Sequence, residues 1–144
     1  MLSTSTDTEL ATALRLAVAR TARRLRQESG AGLSPTLIAA LATIERHGPL
    51  TPSELAAHER VQRPSATRVL IRLEEEGLVT RAADPSDRRS SRIAVTAAGA
   101  ALLAESRTRK DRFLSDRLDA LGAADRATLA RAAALLERML EGPA

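Results

Sequence analysis

Helix start and stop signals cut most of this chain into helical segments and leave room for only one β hairpin. Ser34 and Thr51 each place a capping side chain directly before a proline. Gly77 follows another helical segment, at a position where glycine commonly ends a helix. Residues 1–6 are polar and are predicted to be frayed. Together with the spacing of apolar residues, the signals predict six helices, at about residues 7–29, 35–46, 51–58, 63–77, 96–121 and, after a restart at 122–125, through 140.

The β structure falls between the fourth and fifth helices. Two short runs, LVTRAA at 78–83 and SRIAV at 91–95, are predicted to be strands. The segment DPSDRRS between them contains Pro85 and predicts a long, charged hairpin loop. The fold class is therefore mainly α (α+β).

The apolar residues restrict how this fold is packed. Hydrophobic residues make up 44% of the 144-residue chain, but Phe113 is the only aromatic residue. The core must therefore consist of Leu, Ala, Val and Ile, which suits closely packed helices. The length is that of a single domain.

The two ends of the chain differ from its middle. The terminal helices carry long apolar stripes for which one chain offers too few packing partners, and a two-fold homodimer is the commonest way to bury such stripes. We therefore expect an N-terminal dimerisation helix at 1–33, a compact lobe at 34–96, and C-terminal helices at 97–144 that complete the dimerisation region within one intertwined domain.

The third and fourth helices have the length and spacing of a helix-turn-helix. In that motif the N-terminal part of the second helix lies against base edges in the major groove of DNA. The opposite end carries Glu74, Glu75 and Glu76, which would repel phosphates. The candidate DNA-binding residues of this helix are Arg63, Pro64, Ser65, Thr67, Arg68 and Arg72.

The hairpin loop carries the densest basic sequence in the chain. Arg88 and Arg89 contribute nothing obvious to folding, but a hairpin beside a helix-turn-helix can enter the adjacent minor groove, where narrow A·T-rich stretches attract arginine. Asp84 and Asp87 are predicted either to pair with these arginines or to cap the turn. Arg81 and Arg92 are candidates for phosphate contacts at the outer ends of the strands. A solvated charged turn is the simpler alternative.

Composition and motifs exclude several other classes of protein. A net charge of +4 favours a polyanionic partner, whereas the absence of cysteine excludes disulfides and thiolate metal sites. The two histidines form no metal-binding pair, and no phosphate-binding or nucleophile motif occurs, so no enzyme, metal or cofactor is expected. An RNA-binding platform of stacking aromatic residues is disfavoured, because Phe113 falls in a long helix where core or dimer packing is expected. No signal peptide or apolar run of about 18 residues is present, which predicts a cytoplasmic protein without membrane contact.

Four stretches resemble the MarR family of bacterial winged-helix regulators, and the resemblance extends from about Leu10 to Leu140. They are LTPSELA at 50–56, SATRVLIRLEEEGLVTR at 65–81, DPSDRRSSRIAVTAAG at 84–99 and LGAADRATL at 121–129. The resemblance implies a winged helix-turn-helix with long N- and C-terminal dimerisation helices. It also implies a homodimer that binds a palindromic operator in double-stranded DNA, most often as a repressor, with a small-molecule effector that lowers DNA affinity.

The resemblance also assigns roles to individual residues. Ser65, Thr67 and Arg68 match the family's groove-reading positions, Arg89 matches the wing-tip arginine, and Asp87 matches the acidic residue beside it. The chain departs from the family because it has no cysteine for oxidation sensing and few aromatic residues for an aromatic effector.

Two questions stay open at the level of the sequence. A ligand cavity between the first, second and fifth helices would be lined by apolar residues, namely Leu16, Ile38, Leu41 and Leu102, but a close-packed interior is equally compatible with the pattern. The alternative to a DNA-binding regulator is a winged-helix module that binds another protein without specific DNA readout.

Overall fold

Six α-helices and one two-stranded antiparallel sheet make up the computed structural model, which describes residues 3–142 except the side chains of Ser3, Arg88 and Ser90. The elements in chain order are α1 (Ser3–Glu28), α2 (Pro35–His47), α3 (Pro52–Glu59), α4 (Arg63–Glu75), β1 (Val79–Asp84), β2 (Asp87–Val95), α5 (Ala97–Asp119) and α6 (Ala123–Glu141). The predicted order of elements is confirmed.

The predicted caps begin the helices of the lobe. The side chains of Ser34 and Thr51 accept hydrogen bonds from the backbone N–H groups of Leu37 and Glu54, at 3.3 and 3.2 Å. Gly77 follows α4 with φ +71°, a conformation that glycine adopts without steric cost. Local capping chemistry therefore sets these boundaries.

The start of α1 differs from its prediction. The helix begins at Ser3, so the described part of the segment expected to fray is helical, while Met1 and Leu2 lie outside the described residues. Extending an existing helix adds one hydrogen bond for each residue fixed, which favours this additional turn. The hydroxyl of Thr8 donates to the carbonyl of Thr4 at 2.9 Å, so the polar side chain is accommodated on the helix.

The hairpin also differs from its prediction. Only Pro85 and Ser86 connect the strands, and the predicted long loop is wrong because Asp87–Ser90 belong to β2. The regular pairing Val79↔Val95 through Ala83↔Ser91 gives way to Asp84↔Asp87, so β2 carries extra residues in a bulge. Bulges bend a strand and increase its twist. The basic residues therefore lie on a bulged strand near the turn.

The core lies almost entirely within residues 34–96. Leu41, Leu55, Leu70 and Ile93 are fully buried, one each from α2, α3, α4 and β2, and Leu103 of α5 packs with them. A β-bridge joins Leu50 to Ile93 through two hydrogen bonds of 2.9 and 2.7 Å, and it fastens the hairpin to the segment before α3. The hairpin is thus anchored to the helix-turn-helix by both packing and backbone bonds.

One close approach joins α5 to the base of the hairpin. A Cβ built on Gly99 would lie 2.2 Å from the carbonyl oxygen of Leu78 and 2.9 Å from Cγ1 of Val95. Thr96 caps α5 by accepting from the N–H of Gly99, and its hydroxyl donates to the carbonyl of Gly77. This junction fixes the direction in which the long α5 leaves the lobe.

The terminal helices bury little. None of the residues of α6, all of which are described, is buried, and Leu135, Met139 and Leu140 are among the exposed large hydrophobic residues. On α1, Leu10 and Val18 are likewise exposed. Leu10, Leu14, Leu136 and Met139 line one apolar groove together.

Candidate nucleic-acid interface

The turn between α3 and α4 sets the relative orientation of the two helices. Arg60 caps α3 in the left-handed region, with φ 54° and ψ 45°, and its N–H donates to the carbonyl of Ala57. The N–H of Val61 then returns to the carbonyl of Ala56 at 3.0 Å. The chain reverses within a few residues, and α4 begins at Arg63 as predicted.

Helix α4 presents the predicted polar face to solvent. Arg63, Pro64 and Arg68 are exposed, while Ser65 and Thr67 are half-buried. The opposite face buries Ala66, Leu70 and Leu73. This division is the one expected of an amphipathic helix whose outward side is free to contact a ligand.

Two local contacts order the polar face. The hydroxyl of Thr67 donates to the carbonyl of Arg63 at 3.0 Å, and Nη2 of Arg68 lies 3.5 Å from Oγ of Ser65. The long distance of the second contact makes it a weak one. The guanidinium of Arg68 therefore keeps nearly all of its donors for a partner.

The glutamates at the C-terminal end of α4 form ion pairs with two nearby arginines. Arg72 pairs with Glu76 at 3.1 Å and lies 3.9 Å from Glu75. Arg81 of β1 donates through Nε to Glu74 at 2.6 Å and through Nη1 to Ser91 at 3.2 Å. Exposed ion pairs of this kind contribute about 0–1 kcal/mol. Arg72 and Arg81 are thus partly neutralised, unlike Arg63 and Arg68.

Asp84 caps the hairpin turn. Its buried carboxylate accepts from the backbone N–H of Ser86 at 3.0 Å, from the hydroxyl of Ser86 at 2.7 Å and from Nε of Arg92 at 3.2 Å. These bonds, led by the backbone N–H of Ser86, lower the pKa of the Asp84 carboxyl, and burial opposes them. Asp84 therefore caps the turn, and among the described side chains the arginine with which it pairs is Arg92. Arg92 is therefore occupied within the hairpin.

Asp87 orients the backbone at the start of β2. Its Oδ1 accepts from the backbone N–H of Arg89 at 2.9 Å, while the side chain of Arg89 is exposed. Asp87 therefore fixes the main chain of Arg89 and leaves its guanidinium accessible. Arg88 lies in β2, but its side chain lies outside the described residues.

A polar cleft brings the helix and the hairpin together. Its volume is about 450 Å³, and it lies between the N-terminus of α3, the N-terminal half of α4 and the hairpin. The residues that line it are Thr51, Pro52, Ser53, Arg63, Thr67, Arg81, Asp87, Arg89 and Ser91. Five of the residues singled out from the sequence therefore share one surface, namely Arg63, Thr67, Arg81, Asp87 and Arg89.

The remaining candidates do not line this cleft. Pro64, Ser65, Arg68 and Arg72 stand on α4 outside its lining, and Asp84 supports the hairpin from within. Ser53 was not predicted, although its place in the first turn of α3 puts it in the lining of the cleft with Arg63 and Arg89. Such a concave surface of guanidinium and hydroxyl groups suits phosphates and base edges.

Other kinds of site find little support within residues 3–142. No cluster of three or more His, Asp or Glu side chains with metal-binding spacing occurs in this described part. His47 and His58 stack on each other, with ring centroids 4.4 Å apart. None of the described helices combines the length and apolarity that crossing a bilayer requires.

Comparisons with known proteins identify the family of the chain. Residues 33–91 match the model of the MarR family. An HTH-type transcriptional regulator of Mycobacterium bovis is 37% identical over 136 residues, which are 94% of this chain and 95% of that protein. A Pseudomonas aeruginosa protein assigned as a transcriptional regulator superposes with a TM-score of 0.86 at 35% identity, covering 95% of this chain and 97% of that one.

A third similarity concerns Escherichia coli MarR in its apo form. Its TM-score is 0.72 at 27% identity, over 91% of this chain and 96% of that one. The relatives are transcriptional regulators and not enzymes, in agreement with the absence of catalytic motifs.

Proposed function

The chain belongs to the MarR family of transcriptional regulators and carries a helix-turn-helix DNA-binding fold, and we propose that it acts as a homodimeric repressor on a palindromic operator. The observation that carries the proposal is the shared surface of α4 and the hairpin, where Arg63 and Arg89 line one polar cleft. A helix and a basic hairpin on the same side can engage the major groove and its neighbouring minor groove together.

The N-terminal half of α4 supplies direct readout in this proposal. Arg68 is exposed and weakly bonded, so its forked guanidinium can donate to O6 and N7 of guanine. Thr67 directly precedes Arg68 and Ser65 lies three residues before it, and in this proposal their hydroxyl groups face base edges. The ion pair of Arg72 with Glu76 places that arginine at the edge of the contact, where a phosphate would compete with a carboxylate.

The hairpin supplies a second contact. Asp87 holds the backbone of Arg89, so the guanidinium enters the minor groove from a fixed strand and only the side chain has to be ordered on binding. Asp84 and Arg92 act behind it, because they fasten the turn and do not face the DNA.

The terminal helices form the contact with a second copy of the chain. Exposed apolar residues on α1 and α6 line a common groove, which a second chain related by a two-fold axis would cover. Two lobes held in this way read two half-sites about one helical turn apart, so a palindrome is the matching operator. A dimer on that operator excludes other proteins from the same duplex, which is the physical basis of repression.

A cleft beside α5 is the proposed binding site of a small-molecule effector that relieves repression. It has a volume of about 370 Å³ and lies between residues 29–31 and α5. Of the residues predicted to line a cavity, Leu102 lines this cleft, whereas Leu41 is fully buried in the core. The hydroxyl of Ser106 is buried beside it and has no hydrogen-bond partner among the described residues. A small polar ligand there would touch the helix that joins the lobe to the dimer region.

The proposal is tested by fluorescence anisotropy on the DNA upstream of the protein's own gene, against a scrambled duplex, across a salt series. We expect specific binding to exceed non-specific binding by at least about 10³-fold. Weak, equal binding to both duplexes that disappears steeply with salt would reject sequence-specific regulation and leave only electrostatic attraction.

Two variants in the same assay separate the two contacts. Arg68→Ala should cost about 1–3 kcal/mol and relax preference at one base pair of each half-site, whereas a uniform loss on every sequence would make Arg68 a phosphate contact. Arg89→Ala should weaken binding most on duplexes with A·T-rich flanks. Equal weakening on G·C-rich flanks would contradict the minor-groove contact.

A further inference from the structure

One branched aliphatic side chain stands on the outward face of α4. Ile71 is 48% exposed, although the neighbouring Leu70 and Leu73 are completely buried. It follows Thr67 and Arg68 on the same face by four and three residues, which are the spacings of helical neighbours. Its apolar surface therefore belongs to the same outward surface as the proposed groove-reading residues.

The charges around Ile71 restrict what can cover it. On its N-terminal side lie the donors of Thr67 and Arg68, and on its C-terminal side lie Glu75 and Glu76, which hold Arg72. The arginine and hydroxyl groups before Ile71 favour contact with a nucleic acid. The carboxylates after Ile71 repel its phosphates. Ile71 thus lies where the basic part of this face meets the acidic part.

A protein groove fits this face poorly. A helix that docks into an apolar groove presents anchors at i, i+3, i+4 and i+7. Counting back and forward from Ile71, positions 67, 68, 74 and 75 are Thr, Arg, Glu and Glu, and only Pro64, seven residues earlier, is also apolar. One branched aliphatic group next to hydrogen-bond donors instead matches the major groove, where the 5-methyl group of thymine is the apolar feature.

The spacing along α4 gives the position of that thymine. Ile71 lies three residues beyond Arg68, which is about 4.5 Å at a rise of about 1.5 Å per residue. Base pairs are about 3.4 Å apart along a duplex. A base next to Ile71 is therefore about one to two base pairs from the base that Arg68 contacts.

We propose that Ile71 is a specificity-determining residue that reads the methyl group of one thymine in each operator half-site, one to two base pairs from the base contacted by Arg68. This inference rests on the proposed function, because it requires α4 to lie in the major groove. It adds an apolar contact to a surface that is otherwise described by charges and hydrogen bonds.

Replacing single thymines of the operator by deoxyuridine tests the inference, because that exchange deletes the methyl group and retains every hydrogen-bonding group. For the wild-type protein we expect one position in each half-site at which the exchange weakens binding about 3- to 5-fold, the effect of one buried methyl group. Ile71→Ala should bind the normal operator with a similar loss and should no longer distinguish thymine from uracil at that position.

Two further variants serve as controls. Ile71→Val keeps a branched side chain and should retain part of the discrimination. Val61→Ala removes a side chain that is 43% exposed in the turn outside α4, and its uridine profile should equal that of the wild type. Circular dichroism melting checks that all variants are folded, as expected for exposed positions.

The outcomes separate the inference from the function on which it rests. A wild-type protein that prefers its operator but shows no uridine-sensitive position, or one that Ile71→Ala leaves unchanged, would overturn the role of Ile71 and leave the regulator intact. A wild-type protein without preference for its operator would overturn both.

Discussion

The lobe at residues 34–96 and the terminal helices use apolar residues in opposite ways. In the lobe, Leu41, Leu70 and Leu73 are completely removed from solvent by a single chain. On α6, Leu135 and Leu140 are 46% and 82% exposed, although the helix is longer than any helix of the lobe. The difference shows that the lobe closes its core within one chain, whereas the terminal helices leave apolar surface exposed, which the proposed second chain would cover.

Removing α6 should have the largest effect. A chain that ends after Asp125 lacks nearly all of α6 and the apolar groove that it forms with Leu10 and Leu14. We expect sedimentation velocity to show monomers or aggregates, with α1 losing helicity because its apolar face has no cover. Truncation after Glu141 keeps α6 and is the matched control. A stable, folded dimer of the shorter chain would remove the distinction between the two regions.

A matched pair of leucine variants sharpens the comparison. Leu70→Ala creates a cavity in the closed core of the lobe and should lower the free energy of unfolding by about 2–5 kcal/mol. Leu135→Ala removes a half-exposed side chain, so its cost should arise at the subunit contact. Urea unfolding at several protein concentrations checks this, because only the midpoint shift of Leu135→Ala should change with concentration. Equal concentration dependence of both shifts would contradict the account.

The junction between the two regions should be intolerant of one added methyl group. In Gly99→Ala the new Cβ meets the carbonyl oxygen of Leu78, and the resulting shift of α5 should cost about 1–3 kcal/mol even though alanine favours a helix. Thermal unfolding measures the change in the free energy of unfolding. Ala104→Gly, on the exposed side of α5, measures separately how much alanine stabilises this helix relative to glycine. Stabilisation by Gly99→Ala would mean that α5 is not held against the hairpin.

A smaller effect of pH should be confined to the lobe. The pKa of Asp84 in the folded protein lies below its ordinary value of 3.8, so its stabilising effect is present above that pH and is lost as the pH falls through the lowered pKa. The unfolding free energies of the wild type and Asp84→Asn should therefore converge below about pH 3.8. Asp119→Asn, at the end of α5, controls for the loss of one negative charge. A difference that grows as the pH falls would give Asp84 the opposite role.

Features set by neighbouring residues could be predicted from the sequence. Ser34, Thr51 and Gly77 act on backbone groups within a few positions, and the starts of α2 and α3 and the end of α4 follow from them. The amphipathic division of α4 follows from the helical period alone.

Features that depend on distant residues were predicted less well. The hairpin turn is short because the Asp84 carboxylate joins Ser86 to Arg92, a contact across the two strands that composition does not reveal. The bridge between Leu50 and Ile93 likewise requires the tertiary fold. For the candidate site, the sequence identified the arginines. Which of them are paired with carboxylates and which are accessible depends on partners such as Glu74 and Glu76.

The central claim is that each chain carries a complete DNA-binding lobe but needs a second chain to cover its terminal helices. The number of chains bound to one operator tests this claim most directly. Sedimentation equilibrium of a fluorescently labelled operator duplex, with the protein in excess, measures this number. We expect two chains on each palindrome and one dimer in free solution at the same protein concentration. A single chain bound to the full operator with undiminished affinity and specificity would contradict the account.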